Sequence, residues 1–328
     1  MSEIKWRRSS MNWRAILPTT SLAILFCTLS PLSASAQEQG EKTFASPKDA
    51  AQALYSAVQA DDKSATLAVL GASASSIIES GDDVQDKNNR ASFVKSYDQM
   101  NRWEGVTNGE RVLYIGADNW PFPIPLKKTT SGQWYFDTKT GLQEILFRRI
   151  GKNELATIKV CRALADAQQD YFQQAHDGDT TQQYAQKFTS DPGKQDGLYW
   201  KTAEGQPESP IGPLVAFATA KGYGGQHDSP QPFYGYYYRI LTAQGANAPG
   251  GAKNYIADGK MTGGFAFVAY PADYRNSGVM TFLVDQSGVV YQKDLGPNTD
   301  KLASEMKSYN PDHTWVTAET GDETDQAN

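Results

Sequence analysis

Cysteine and histidine are scarce in this chain of 328 residues: two cysteines, Cys27 and Cys161, and three histidines, His176, His227 and His313. Cys27 falls in an N-terminal segment with the features of an export signal. A processed monomer therefore keeps one cysteine and has no intramolecular disulfide, although an oxidising compartment would permit one. A cysteine-based zinc site within one chain is excluded, and three scattered histidines argue against a histidine-rich one. The chain also lacks a G-x-S-x-G nucleophile elbow. Stability has to come from packed cores.

Basic clusters are missing beyond the first residues. Lys5, Arg7, Arg8 and Arg14 form a basic n-region, "AILPTTSLAILFCTLSPL" an apolar h-region, and "ASA" at 34–36 a small-residue cleavage motif. The pattern predicts a signal peptide over residues 1–36, cleaved after Ala36. The apolar stretch falls short of the ~20 residues of a spanning helix. Phe26 before Cys27 does not fit a lipidation site. Arg7-Arg8 leaves the general and twin-arginine routes both open. Removing four basic residues and Glu3 from 31 basic and 37 acidic leaves 27 and 36, a net charge of −9. Nucleic acid and anionic lipid are poor partners for such a surface. The expected location is the periplasm of a Gram-negative bacterium, with envelope proteins as partners and no stable membrane span after processing.

Residues 37–43 read as a polar linker and 44–140 as an N-terminal α+β domain. Ser46 and Pro47 start a helix whose apolar stripe is Ala50, Leu54, Ala57 and Val58. Asp61-Asp62 start a second, ending near Gly71; "SSIIESGDD" is a short apolar element with a turn; "NRASFVKSYDQM" is a third amphipathic helix. "ERVLYIGA" and "GQWYFD" have strand composition. In "PFPIPL" proline at every second position predicts an edge strand or extended arm, because proline donates nothing to a ladder. A polyproline ligand for a partner is the functional alternative.

Residues 141–319 read as a long helix followed by an antiparallel sheet. Gly151 is expected to break the helical run and Asn153 to cap a fresh helix, in which Ile158, Cys161, Ala165 and Phe172 share a face. Asp177-Gly178-Asp179 is the expected stop. "FYGYYYRIL", "GGFAFVAYPA", "GVMTFLVD" and "GVVYQKDL" are four strands, with a long Gly- and Ala-rich loop between the first two. "NTDKLASEMKSY" is a short helix, "TWVTAE" a terminal strand, and 320–328 a disordered acidic tail. Asp285 to Gly288 make a hairpin turn, since Asp and Ser bond nearby backbone and Gly accepts positive φ.

"RRIGKNELATIKVCRALADAQQDYF", "GYYYRILTAQG" and "GKMTGGFAFVAYPADYRNSGVMTFLVDQSGVVYQKDLG" resemble bacterial exported proteins of the domain-of-unknown-function family 2950, over about Phe44 to Glu319. The resemblance implies export but supplies no catalytic residues. The order of long helix, turn-rich segment and strands is also similar to the globular part of type IV pilin-like and pseudopilin subunits. It departs from them in placing a whole domain before the helix, so filament assembly through an N-terminal membrane helix is not implied.

The chemistry that remains is sparse. Cys161 lies mid-helix on an apolar face, where a structural thiol is expected. His227-Asp228 could supply two parts of a hydrolase triad. Acidic pairs at 61/62, 82/83, 177/179 and 285/294 read mainly as caps and turns; by analogy with pseudopilin calcium loops, Asp285 and Asp294 are calcium candidates. Tyr234, Tyr236 and Tyr238 on one strand face, with Phe233 and Tyr237 opposite, are the candidate binding surface. The expectation is an α+β, non-enzymatic interaction or envelope-associated module. Calcium or small-ligand binding and a hydrolase using the His227 loop are the alternatives.

Overall fold

The computed structural model describes residues 42–105, 109–223 and 231–318, all within a compact unit spanning Gln37–Asn328. The architecture is α+β.

Local signals at the N-terminal end act as read. Helix α1 (Pro47–Gln59) is capped by Ser46, which accepts from the Asp49 N–H at 3.2 Å. Helix α2 (Lys63–Leu70) is capped by Asp62 and ends at Gly71, φ 88°. Helix α3 (Ser75–Ile78) is one turn. Helix α4 (Asp83–Gln99) begins well before the apolar periodicity does. Asp82 fixes that start by accepting from the Gln85 N–H at 2.9 Å, so a polar stretch becomes helix through its cap.

Strands β1 (Asn101–Gly105), β2 (Arg111–Ile115), β3 (Trp120–Pro121), β4 (Leu126–Lys128) and β5 (Trp134–Phe136) form an antiparallel sheet in the order β1-β2-β4-β5, with β3 on β2. "PFPIPL" is the extended arm joining β3 to β4; its Phe122 N–H donates to Leu113 O at 2.8 Å. Leu54, Leu70, Ile124, Leu126 and Phe136 fill the core between helices and sheet.

Helix α5 (Thr138–Phe172) is continuous for 35 residues, capped by Asp137. This corrects the expected break at Gly151 and the expected cap at Asn153. A mid-helix glycine costs about 1 kcal/mol relative to alanine, and the packing of this helix outweighs that. A Cβ at Gly151 would meet nothing within 4 Å. The helix ends at Phe172, ahead of Asp177-Gly178-Asp179. Helix α6 (Gly212–Ala220) was not anticipated.

Strands β6 (Tyr236–Leu241), β7 (Ala243–Gln244), β8 (Lys253–Asn254), β9 (Ile256–Ala257) and β10 (Lys260–Met261) follow. The expected long loop therefore carries four short strands. Strands β11 (Ala266–Pro271), β12 (Met280–Asp285) and β13 (Val290–Asp294), helix α7 (Thr299–Ser304), and strands β14 (Ser308–Tyr309) and β15 (Val316–Thr317) complete the fold. The main sheet runs β15-β13-β12-β11-β6, all antiparallel. Successive side chains of a strand point to opposite faces. Tyr238 reaches Thr157 on α5 at 3.3 Å, while Arg239 donates to Ala303 O and Met306 O at 2.9 and 3.2 Å. The sheet is thus covered by α5 on one side and by α7 on the other, and every residue of β11 is buried. Among the described residues no helix is long and apolar enough to cross a membrane.

Candidate functional site

Helices α4 and α5 border a groove whose floor comes from α1, α2, β2 and the proline arm. Its volume is about 490 Å³, within the range of small-molecule sites. Leu54, Leu70, Phe93, Phe122, Ile124 and Ile145 supply apolar walls, and exposed Asn89, Ser92, Arg148 and Lys152 form the lips. The arm sits tight on α5: a Cβ at Gly141 would lie 2.7 Å from Pro123 O and 2.8 Å from Ile124 Cα. Only glycine lets this wall close. Arg148 lies over the Trp120 ring, 5.7 Å from its centroid, at the apolar end.

The other end is polar and buried. Gln85 donates from Nε2 to Asn153 Oδ1 at 3.0 Å, and Asn153 donates from Nδ2 to Ser277 O at 2.8 Å. Arg149 donates through Nη1 to Ser76 O and Asn276 Oδ1, both at 2.6 Å, and through Nη2 to Ile77 O. Asp86 accepts from the Ser80 N–H at 2.8 Å. Burial pushes the Asp86 carboxyl up, against its Ser80 bonds and the Arg149 charge. Burial likewise pushes the Arg149 guanidinium down, against Asp86 and Asp273. Asp82 adds a second tie, accepting from Tyr223 Oη at 2.7 Å and from the Gly235 N–H at 3.0 Å. Burial, with this bond next, raises the Tyr223 phenol. The α4 N-terminus is therefore fastened both to α5 and to the strand side.

Tyr234, Tyr236, Tyr238, Asp285 and Asp294 are not among the residues that line this groove. Tyr236 and Tyr238 face α5, and Tyr236 is fully buried with its hydroxyl donating to Met280 O at 3.0 Å. Tyr234 precedes the strand with φ 54°. Tyr236 thus belongs to the core beneath α5, while Tyr234 and Tyr238 are half-buried. Burial pushes the Cys161 thiol up to about 12, which keeps it protonated and structural. His227 lies outside the described residues. His176 stacks on Tyr171 with centroids 4.0 Å apart and donates to Tyr171 O at 2.9 Å.

Asp285 caps the hairpin turn, accepting from the Ser287 N–H at 3.0 Å, while Gly288 (φ 72°) donates to Asp285 O at 3.0 Å. Asp294 accepts from Tyr274 Oη at 3.0 Å and from the Gly296 N–H at 2.7 Å. Asp294 pairs with Met280 at the far end of β12, so the two carboxylates do not meet. Among the described residues no group of three or more His, Cys, Asp or Glu is placed to hold a metal.

Gln85, Asp86 and Arg149 were missed, and Asn153 was read only as a helix cap. Their signal was available: Gly141, Ile145, Arg149, Asn153, Thr157 and Cys161 recur at intervals of four along α5, and all but half-buried Ile145 are buried. A charged and an amide residue in an inward stripe imply buried partners elsewhere.

Fold and groove together define an α+β protein with a ligand-sized cleft along its long helix. The chain belongs to the family described as protein of unknown function (DUF2950), whose model matches residues 41–318. No curated protein and no solved structure matches it.

Proposed function

We propose that this is an exported, non-enzymatic protein of the cell envelope that holds a small amphipathic molecule in the α4–α5 groove. The observation that carries the reading is the cavity of about 490 Å³ with apolar walls and a buried polar end. Ligand sites combine apolar lining with a few placed polar groups in this way. The basic, apolar and small-residue segments of residues 1–36 support export to the periplasm with cleavage after Ala36. The long helix on an antiparallel sheet supports a pilin-like reading of the C-terminal half, with its core committed to folding rather than to assembly.

The test is titration of the protein, purified from cells without detergent, with the neutral apolar fluorophore N-phenyl-1-naphthylamine. Ile145→Trp plugs the apolar end. The expected result is saturable binding by the wild type and its loss in the plugged variant at an unchanged Tm. Equal binding by both, or none by the wild type, contradicts the proposal.

A further inference from the structure

The hydrogen-bond directions at the polar end are fixed by one carbonyl. Ser277 O can only accept, so Asn153 must turn Nδ2 towards it, at 2.8 Å. That leaves Asn153 Oδ1 facing Gln85, which must answer with Nε2, at 3.0 Å. Gln85 Oε1 is then the atom left over. It is buried on a residue only 7% exposed, and it accepts from no protein atom among the described residues. Gln85 and Asn153 both line the groove. A buried amide oxygen without a donor is costly, so this end of the groove is built for a group that donates.

We infer that the occupant presents a hydroxyl to Gln85 Oε1 and lays an apolar body along the walls towards Phe93: the groove takes a neutral, hydroxyl-bearing amphiphile of the long-chain alcohol class. This rests on the groove being a ligand site. Along α4, Phe93 stands eight residues, about 12 Å, beyond Gln85, which sets the reach from polar head to apolar body. An ionised carboxylate head fits worse. It only accepts, so it leaves Gln85 Oε1 unpaired, and it brings a second negative charge beside Asp86. Arg149 does not offset this freely, since both Nη1 protons and one on Nη2 already go to Ser76, Asn276 and Ile77.

The test is displacement of N-phenyl-1-naphthylamine from the protein by three probes of matched chain: 1-decanol, 1-methoxydecane and decanoate. Decanol should compete at least about tenfold better than the ether or decanoate, the worth of a donor to a buried acceptor. Gln85→Leu should reduce that preference, because the acceptor at this position is gone. If the fluorophore binds but alcohol and ether compete equally in the wild type, water satisfies Gln85 and the inference falls while the groove reading stands. If the fluorophore does not bind, both fall. The wild-type series decides even where Gln85→Leu fails to fold.

Discussion

Gln85 on α4 and Asn153 on α5, 68 residues apart in the chain, are joined by one 3.0 Å hydrogen bond between buried amides. The same Asn153 reaches the backbone of Ser277, 124 residues further on. One side chain thus ties the N-terminal helices to the long helix and the long helix to the approach to β12.

Asn153→Leu should therefore be severely destabilising. It leaves the Gln85 N–H group and the Ser277 carbonyl buried without partners, at a combined cost of about 3 kcal/mol. Urea unfolding checks this. A loss below about 1 kcal/mol would show that the junction is not a structural tie.

Gly151→Ala should stabilise by roughly 0.5–1 kcal/mol, because the backbone there is helical and the added methyl meets nothing within 4 Å. A helix broken at this position would gain nothing, so a Tm that stays put or falls contradicts a continuous α5.

Gly288→Val should destabilise by about 1–2 kcal/mol, since the turn holds this residue at φ 72°, a conformation that L side chains resist. Thermal unfolding of the variant reads this out, and an unchanged Tm counts against the hairpin geometry.

Asp86 makes a pH-dependent prediction. Its folded carboxyl is raised above the ordinary 3.8, chiefly by burial, so the native chain holds this proton more tightly than the unfolded chain. The stability linked to it is full below 3.8 and is lost as pH rises through the raised value. Asp86→Asn removes the titration. The stability of Asp86→Asn relative to wild type should climb between 3.8 and the raised value and then level off. A difference that is flat or falls across that window contradicts the assignment.

Asp137 shows the opposite sign. Burial alone would raise it, but the Lys127 ion pair at 2.6 Å and its bonds to Thr140 outweigh burial and hold it below 3.8. Its contribution is present above 3.8 and lost as pH falls through the lowered value. Asp137→Ala should cost about 1–2 kcal/mol at neutral pH as a lost α5 cap. Unfolding curves of both proteins should converge in acid, and a cost that persists there contradicts the cap as a charged group.

Elements with local causes could be read in advance. Ser46-Pro47, Asp62 with Gly71, and Asp285 to Gly288 are each set by a few adjacent residues, and the structure uses them as caps and turns. The Cys161 stripe of α5 follows from periodicity alone. Strand β1 escaped because its residues are almost all exposed and carry no alternation. The break at Gly151 was wrongly expected because propensity is local and the packing that overrides it is not. Which face of β6 lies beneath α5 is likewise decided by partners remote in sequence, and that choice buries Tyr236. The groove was invisible for the same reason: its walls run from Leu54 to Asn153 and meet only in the fold.

The most direct test of the groove as a ligand site is amide chemical-shift mapping of isotopically labelled protein titrated with 1-decanol. Saturable shifts confined to α4, the first half of α5 and the proline arm around Phe122 to Ile124 are predicted. Shifts centred on the β12–β13 hairpin or the α7 face, or none at all, would contradict it.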